Sequence, residues 1–98
     1  MKVLKKDPGK APEMITIEGS LPSMQDVVGG YIQVLSLPRC KAIMVCNEEG
    51  KILDLPHNIS LMGHHIVGTV FFCCSTQDRM VSLTPAAEKE IRQLLMVC

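Results

Sequence analysis

The alternation of apolar and polar residues along the chain predicts a series of short strands. Four of them are expected in the first half, at residues 1–6, 13–18, 31–37 and 40–46. A further strand is predicted over 66–75, where Phe71 and Phe72 help to make both faces apolar. Since a strand that is apolar on both faces must be covered twice, we expect it at the centre of the sheet.

Apolar residues at helical spacing predict two helices. Ser20 is a typical cap for the first, and Gly29 can adopt the left-handed conformation that ends it. Thr84 caps the second, and Pro85 suits its first position. The predicted buried stripe of the first helix is Leu21, Met24, Val27 and Val28, and that of the second is Ala87, Ile91, Leu94, Leu95 and Cys98.

Turn residues connect several of these elements. Pro38–Arg39 predicts a turn between two strands. Asn47–Gly50 predicts a type I hairpin turn, in which Gly50 takes positive φ as a bulge before a return strand over 51–55.

The segment 55–65 is expected to be a loop with one helical turn over 59–62, for which Asn58 is a possible cap. The order of elements then predicts an α+β fold, with a mixed, mainly antiparallel sheet, two helices and a short helical turn. The length of 98 residues predicts a single domain over 1–98.

Composition changes this picture in two ways. Ten basic and ten acidic residues leave no net charge, so a nucleic-acid partner is not expected. Aromatic residues make up only 3% of the chain, so Val, Ile, Leu, Met and Cys must build the core. Because so short a chain leaves apolar surface uncovered, we expect a homodimer or higher homo-oligomer.

The cysteines and the N-terminus indicate the compartment. Five cysteines, two of them adjacent, do not form a disulfide framework. The N-terminal residues lack the apolar stretch of a secretory signal, and no apolar run is long enough to span a membrane. We therefore expect a cytosolic protein with reduced thiols and no membrane partner.

Gly29, Gly30 and Tyr31 are the first candidates for chemistry. Paired glycines allow a phosphate or ribose to approach the backbone, and a tyrosine ring can stack on a base. Phosphate-binding loops, however, place glycines before a helix, whereas these follow one. The order favours a helix end for the glycines and leaves the role of Tyr31 open.

Other candidates are weaker. Close ligand pairs such as C-x₂-C are missing, and Cys73 and Cys74 point to opposite faces of one strand, so no metal site is expected. Apolar neighbours raise the pKa of a thiol, so the cysteines are not expected to be catalytic nucleophiles. We expect no other catalytic residue and no cofactor. His64 and His65 could bind an anion or respond to pH, but a loop rim in water is the favoured interpretation. Gly68–Thr69 inside a central strand indicates a bulge or a close approach by backbone or ligand.

Three blocks of the sequence together resemble a known family. They are SLPSMQDVVGGYIQVL, VCNEEGKILDLPHN and IVGTVFF, spread over about residues 20–70. They are similar to the pattern L-Q-x-x-V-G-G-x-I, N-E-E-G-K-L-x-x-L-P-x-N and G-T of a small-domain family of phages, plasmids and Firmicutes with unknown function. Met24 and Ile52 stand where that pattern has Leu.

Domains of this kind resemble phage anti-Thoeris sponge proteins, which bind a cyclic ADP-ribose immune signal. The resemblance implies a non-enzymatic counter-defence protein of a phage or mobile element, acting in the host cytosol. Its ligand would be nucleotide-like, held near a subunit interface. The implied pocket residues are Gly29, Gly30, Tyr31 and Asn58, with Gly68 and Thr69 as further walls. The alternative is a protein-interaction module that inhibits a host defence protein directly.

Overall fold

The computed structural model describes residues 1–37, 40–61 and 63–96. Its strands are β1 (Lys2–Lys6), β2 (Glu13–Thr16), β3 (Ile32–Leu37), β4 (Ala42–Asn47), β5 (His57–Leu61), β6 (His64–Val67), β7 (Val70–Ser75) and β8 (Met80–Val81), and its helices are α1 (Leu21–Val28) and α2 (Pro85–Met96). The strand pairs described are all antiparallel, so the predicted α+β class is confirmed.

A six-stranded sheet forms the framework. Five strands run in the order β2-β1-β7-β4-β3, the short β8 pairs with β7, and β5 and β6 form a separate hairpin. The central position of β7 confirms the sequence prediction. Phe71 and Phe72 are both fully buried there, one on each face of the sheet.

Each face of the sheet has its own cover. On one face, Met24 and Val28 of α1 pack with Phe71. On the other, Ile91 of α2 joins Phe72 and the inward side chains of the β5–β6 hairpin. Cys73 and Cys74 lie in different clusters, one on each face, as the alternation of the strand requires.

The predicted helix ends are confirmed. Ser20 Oγ accepts a hydrogen bond from the N–H of Ser23, and Gly29 closes α1 in the left-handed conformation with φ +79°. Thr84 Oγ1 accepts a hydrogen bond from the N–H of Ala87 at the start of α2. These bonds use backbone groups that a helix end leaves without a partner.

The predicted buried stripes are mostly correct. Met24 and Val28 are buried in α1, and Ala87 and Ile91 in α2. Leu21, the first residue of α1, was predicted to be buried but is exposed. The predicted turn at 38–39 and residue 98 lie outside the described residues.

The return strand predicted over 51–55 is wrong. Residues 48–54 form a succession of turns, in which the N–H of Leu53 bonds to the carbonyl of Glu49. The Asn47–Gly50 turn itself is present, since the N–H of Gly50 bonds to the carbonyl of Asn47. A return strand has no place beside β4, because β3 and β7 already occupy both of its edges.

The helical turn predicted over 59–62 is also wrong for 59–61, which lie in β5. Position 62 is outside the described residues. The long strand predicted over 66–75 is divided into β6 and β7 at Gly68, whose φ is +76°. A left-handed residue cannot continue a strand, so the chain leaves the hairpin there and enters the sheet.

Candidate functional site

A groove of about 390 Å³ lies between the β3–β4 edge of the sheet and strand β6. The 48–54 turn forms part of its wall. Its described lining residues are Gln33, Leu35, Cys46, Asn47, Glu48, Gly50, Lys51, Ile52, Gly63, His64, His65, Ile66 and Val67. The lining combines amide, carboxylate, ammonium and imidazole groups with aliphatic side chains, which suits a ligand that has both polar and apolar parts.

Asn47 fixes the turn at one end of the groove. Its side chain is buried, Nδ2 donates to the carbonyl of Val28 at 3.1 Å, and Oδ1 accepts from the N–H of Glu49 at 2.8 Å. Gly30 packs directly on this amide, since a Cβ at Gly30 would lie 2.9 Å from Asn47 Nδ2. The end of α1 and the 48–54 turn are therefore held together by one buried amide.

Gly50 fixes the turn against the hairpin. A Cβ at this position would lie 2.8 Å from Val67 Cγ2, so the absence of a side chain lets the turn approach β6. The positive φ predicted for Gly50 is wrong, since it is not among the residues with left-handed backbone. The glycine is required here by close approach between two segments.

The predicted site residues Gly29, Gly30 and Tyr31 lie together at the end of α1. A Cβ on Gly29 would meet nothing within 4 Å, so its role is the helix cap. The Tyr31 carbonyl accepts a hydrogen bond from the N–H of Glu48 at 2.8 Å, while its side chain is 64% exposed. The ring is therefore accessible to a partner or ligand.

The predicted residues Asn58, Gly68 and Thr69 lie together in a second place, beside β1. Asn58 Nδ2 donates to the carbonyls of Lys6 and Gly68, each at 2.8 Å. Thr69 Oγ1 donates to Asp7 Oδ1 at 2.7 Å. This polar cluster ties the hairpin and the residue after Gly68 to the C-terminal end of β1.

Gly68 makes this junction possible. A Cβ there would lie 2.7 Å from Leu55 Cδ1, in addition to the strain of its positive φ. The group that approaches Gly68 is the side chain of Leu55, and not the backbone or ligand that was predicted at Gly68–Thr69.

A hydrogen bond shifts the pKa of Asp7, and burial shifts the pKa of Cys46. The hydrogen bond from Thr69 lowers the pKa of Asp7, with smaller contributions from Lys5 and Lys10. Burial raises the pKa of the Cys46 thiol, which lies in the groove lining. A thiol held protonated in this way is a poor nucleophile.

The described lining of the groove contains none of the six predicted site residues. Asn47 and Glu48 connect it to Gly30 and Tyr31, and Val67 precedes Gly68. The lining residues with basic side chains are Lys51, His64 and His65, and none of them was among the six predicted site residues. His64 and His65 are exposed as expected, but they lie in β6 and not in a loop.

Neither helix of the described chain has the length and hydropathy needed to cross a bilayer. In a comparison with protein families, the model of a domain of unknown function, DUF3846, matches residues 1–96. No curated protein and no solved structure matches the chain. The family match extends beyond the three sequence blocks described above, and the likeness to anti-Thoeris proteins stays a prediction.

Proposed function

The chain belongs to the DUF3846 family, and we propose that this member is a non-enzymatic binding protein for a nucleotide-like small molecule. The observation that carries the proposal is the groove between β3–β4 and β6. Its volume of about 390 Å³ falls within the range of about 300–1,000 Å³ that is usual for small-molecule sites.

Lys51 and Glu48 give the lining one positive and one negative charge, and we place an anionic part of the ligand at Lys51. Lys51 supplies a positive charge, and His64 supplies an imidazole donor. Leu35 and Ile52 offer aliphatic surface for a base or sugar ring. A phosphorylated nucleoside has these two parts, and its phosphate would be drawn to the lysine and histidine side.

The setting that we propose is counter-defence by a phage or mobile element in the host cytosol. It is supported by the resemblance of residues 20–70 to a small-domain family of phages, plasmids and Firmicutes, whose domains resemble phage sponge proteins. In this role the protein would sequester an immune signal of the cyclic ADP-ribose or cyclic nucleotide type. Sequestration needs a binding groove and no chemical step.

Self-association at β3 is part of the proposal. This strand is an edge of the sheet, with β4 as its neighbour. Val34 is 44% exposed on it, and Gln33 and Leu35 of the same strand line the groove. A second chain pairing along β3 would cover the exposed edge and place the groove beside a subunit interface.

Thermal shift and calorimetry with a ligand panel test the proposal. The panel contains cyclic ADP-ribose isomers, ADP-ribose and cyclic di- and mononucleotides. A true ligand at a hundred times its Kd stabilises the fold by about 2.7 kcal/mol. We expect Lys51→Ala and His64→Ala to weaken binding at least tenfold, while Lys89→Ala, a charge removal on the exposed face of α2, leaves it unchanged.

Two outcomes would reject the binding role. One is the absence of stabilisation by every member of the panel. The other is a ligand whose affinity falls equally in Lys89→Ala and Lys51→Ala, because general charge and not the groove would then explain binding. Light scattering tests the assembly separately, and a Val34→Glu variant should dissociate it into single chains.

A second candidate function is direct inhibition of a host protein. The exposed apolar side chains favour it, since Ile52 and Leu53 are 81% and 54% exposed on the 48–54 turn. A host protein recovered at equal stoichiometry by the wild type and lost with Leu53→Glu would support this function. Recovery that is unchanged by Leu53→Glu would contradict it.

A further inference from the structure

Two histidines approach each other on the outer face of the β5–β6 hairpin. His57 Nδ1 lies 3.1 Å from His65 Nε2. The ring centroids are 4.3 Å apart, and the ring planes are inclined by 38°. Both side chains are exposed, so solvent and ions reach the pair. The proposed ligand groove does not require this contact, since His57 is not among its described lining residues.

A β-bulge brings the two rings together. His57 pairs with Val67 and Ile59 pairs with Ile66, so Asn58 is an extra residue on β5. In a regular strand His57 would share the inner face with Ile59, because side chains alternate. The extra residue instead places it opposite Val67, on the outer face that Val67 shares with His65.

The bulge is held by the rest of the fold. Asn58 Nδ2 donates to the carbonyls of Lys6 and Gly68, and Asn58 Oδ1 accepts from Lys6 Nζ at 3.1 Å. Lys6 belongs to β1, so the main sheet fixes the residue next to His57. The position of His57 is therefore set before any ligand binds.

We propose that His57 and His65 form a two-histidine chelate for a borderline divalent cation such as Zn²⁺, Ni²⁺ or Cu²⁺. Metal–nitrogen bonds of about 2.0–2.1 Å that meet at right-angled to tetrahedral angles separate two nitrogens by about 2.9–3.4 Å. The observed 3.1 Å lies within this range. Imidazole nitrogen is a preferred ligand for these metals, with Cu²⁺ bound most strongly.

The chelate has two protein ligands in the described chain, and water completes the coordination. Within residues 1–37, 40–61 and 63–96, no group of three or more His, Cys, Asp or Glu side chains is placed to hold an ion. This distinguishes the site from a structural zinc site, which uses four protein ligands. The fold therefore does not depend on the ion.

Calorimetry of the untagged protein with Ni²⁺ tests the site, and Cu²⁺ electron paramagnetic resonance identifies its ligands. We expect one ion per chain and a spectrum with two imidazole nitrogens. His57→Ala and His65→Ala should each weaken binding at least tenfold. His64→Ala is the matched control, because His64 neighbours His65 on β6 but faces the side of Ile66, and it should bind Ni²⁺ as the wild type does.

The proposal is overturned if the wild type shows no saturable binding, or if either His57→Ala or His65→Ala retains wild-type affinity. An equal loss in His64→Ala would also overturn it, since the outer face would then not be the site. Both replaced histidines are exposed. Both variants should therefore unfold at the same denaturant concentration as the wild type. That result would show that a loss of metal binding does not come from unfolding.

Discussion

Strand β7 and the β5–β6 hairpin are neighbours in the chain but differ in what holds them. In β7 the side chains of Val70 to Cys74 are buried, and the strand is paired on both edges. The hairpin is paired only within its own small sheet, and part of its attachment comes from the polar side chain of Asn58. Burial of apolar side chains fixes β7, whereas the hairpin is also fixed by a few hydrogen bonds from Asn58.

The two elements also differ in how accessible their reactive side chains are. The nucleophilic and metal-binding atoms of β7 are the thiols of Cys73 and Cys74, which burial makes inert. The hairpin exposes His57, His64 and His65 at the groove and on the outer face. The accessible ligand groups of this region thus belong to the element that packing fixes less firmly.

The largest expected effect concerns Cys73. Burial, with a smaller contribution from Cys74, raises its pKa from 9.0 to about 12. Since each pH unit is a tenfold change in protonation, the native thiolate population is lower by roughly a thousandfold. Iodoacetamide should therefore alkylate Cys73 at least that much more slowly in the native protein than in urea, as measured by mass spectrometry of its peptide.

The sign of the linked pH dependence is fixed by the same shift. Because the folded pKa lies above the unfolded one, the stabilisation from Cys73 is complete below pH 9 and is lost as pH rises toward 12. Native alkylation of Cys73 at the rate of a free peptide would contradict the burial of β7.

The next effect concerns Phe72. Its side chain is fully buried between β1 and β4, whose Leu4 and Met44 are its register partners. Phe72→Ala should lower the free energy of unfolding by about 3–5 kcal/mol, measured by urea titration. Gln77→Ala, on the exposed segment after β7, is the control and should change it by less than about 0.5 kcal/mol.

The hairpin should respond to loss of the Asn58 side chain. Asn58→Ala removes two donated hydrogen bonds and leaves the carbonyls of Lys6 and Gly68 without them. We expect a loss of about 2 kcal/mol. Amide hydrogen exchange should accelerate first in β5 and β6 and leave β7 protected, whereas Ser60→Ala, exposed on β5, should change neither.

Uniform acceleration across β7 and the hairpin would contradict two separate modes of attachment. The two elements would then open as one unit.

The smallest effect concerns the bond from Thr69 to Asp7. This bond lowers the pKa of Asp7 below its ordinary value of 3.8, so its stabilisation is present above that value and is lost as pH falls through the folded pKa. Thr69→Val should cost about 1 kcal/mol at pH 7 and less near pH 2. Urea titrations at both pH values measure the difference, and an equal cost at both would show that Asp7 is not involved.

Local sequence was sufficient to predict much of the fold. Ser20 caps the start of α1 and Gly29 caps its end, each through a hydrogen bond to a residue three or four positions away. Thr84 caps the start of α2 in the same way. The central place of β7 follows from apolar residues on both faces, a property of the strand itself. Such features require no knowledge of which segments meet in space.

The candidate site depends on contacts that local sequence does not contain. The turn at Asn47 was predicted correctly. The strand predicted after it does not form, because both edges of β4 are already paired. The groove exists because Gly50 approaches Val67, and nothing near either residue indicates the other. The bulge at Asn58 likewise depends on contacts with β1. The contact between the side chains of His57 and His65 therefore could not be inferred from their spacing in the sequence.

The position of β7 in the sheet also has a consequence for synthesis on the ribosome. Its neighbours β1 and β4 emerge first, and Leu4 cannot meet Phe72 until nearly three quarters of the chain has been made. Until then the two early strands lack the partner that joins them, and their apolar faces are open to other chains. Pairing over such sequence distance slows folding, so nascent chains that end before residue 70 should depend on chaperones to avoid aggregation.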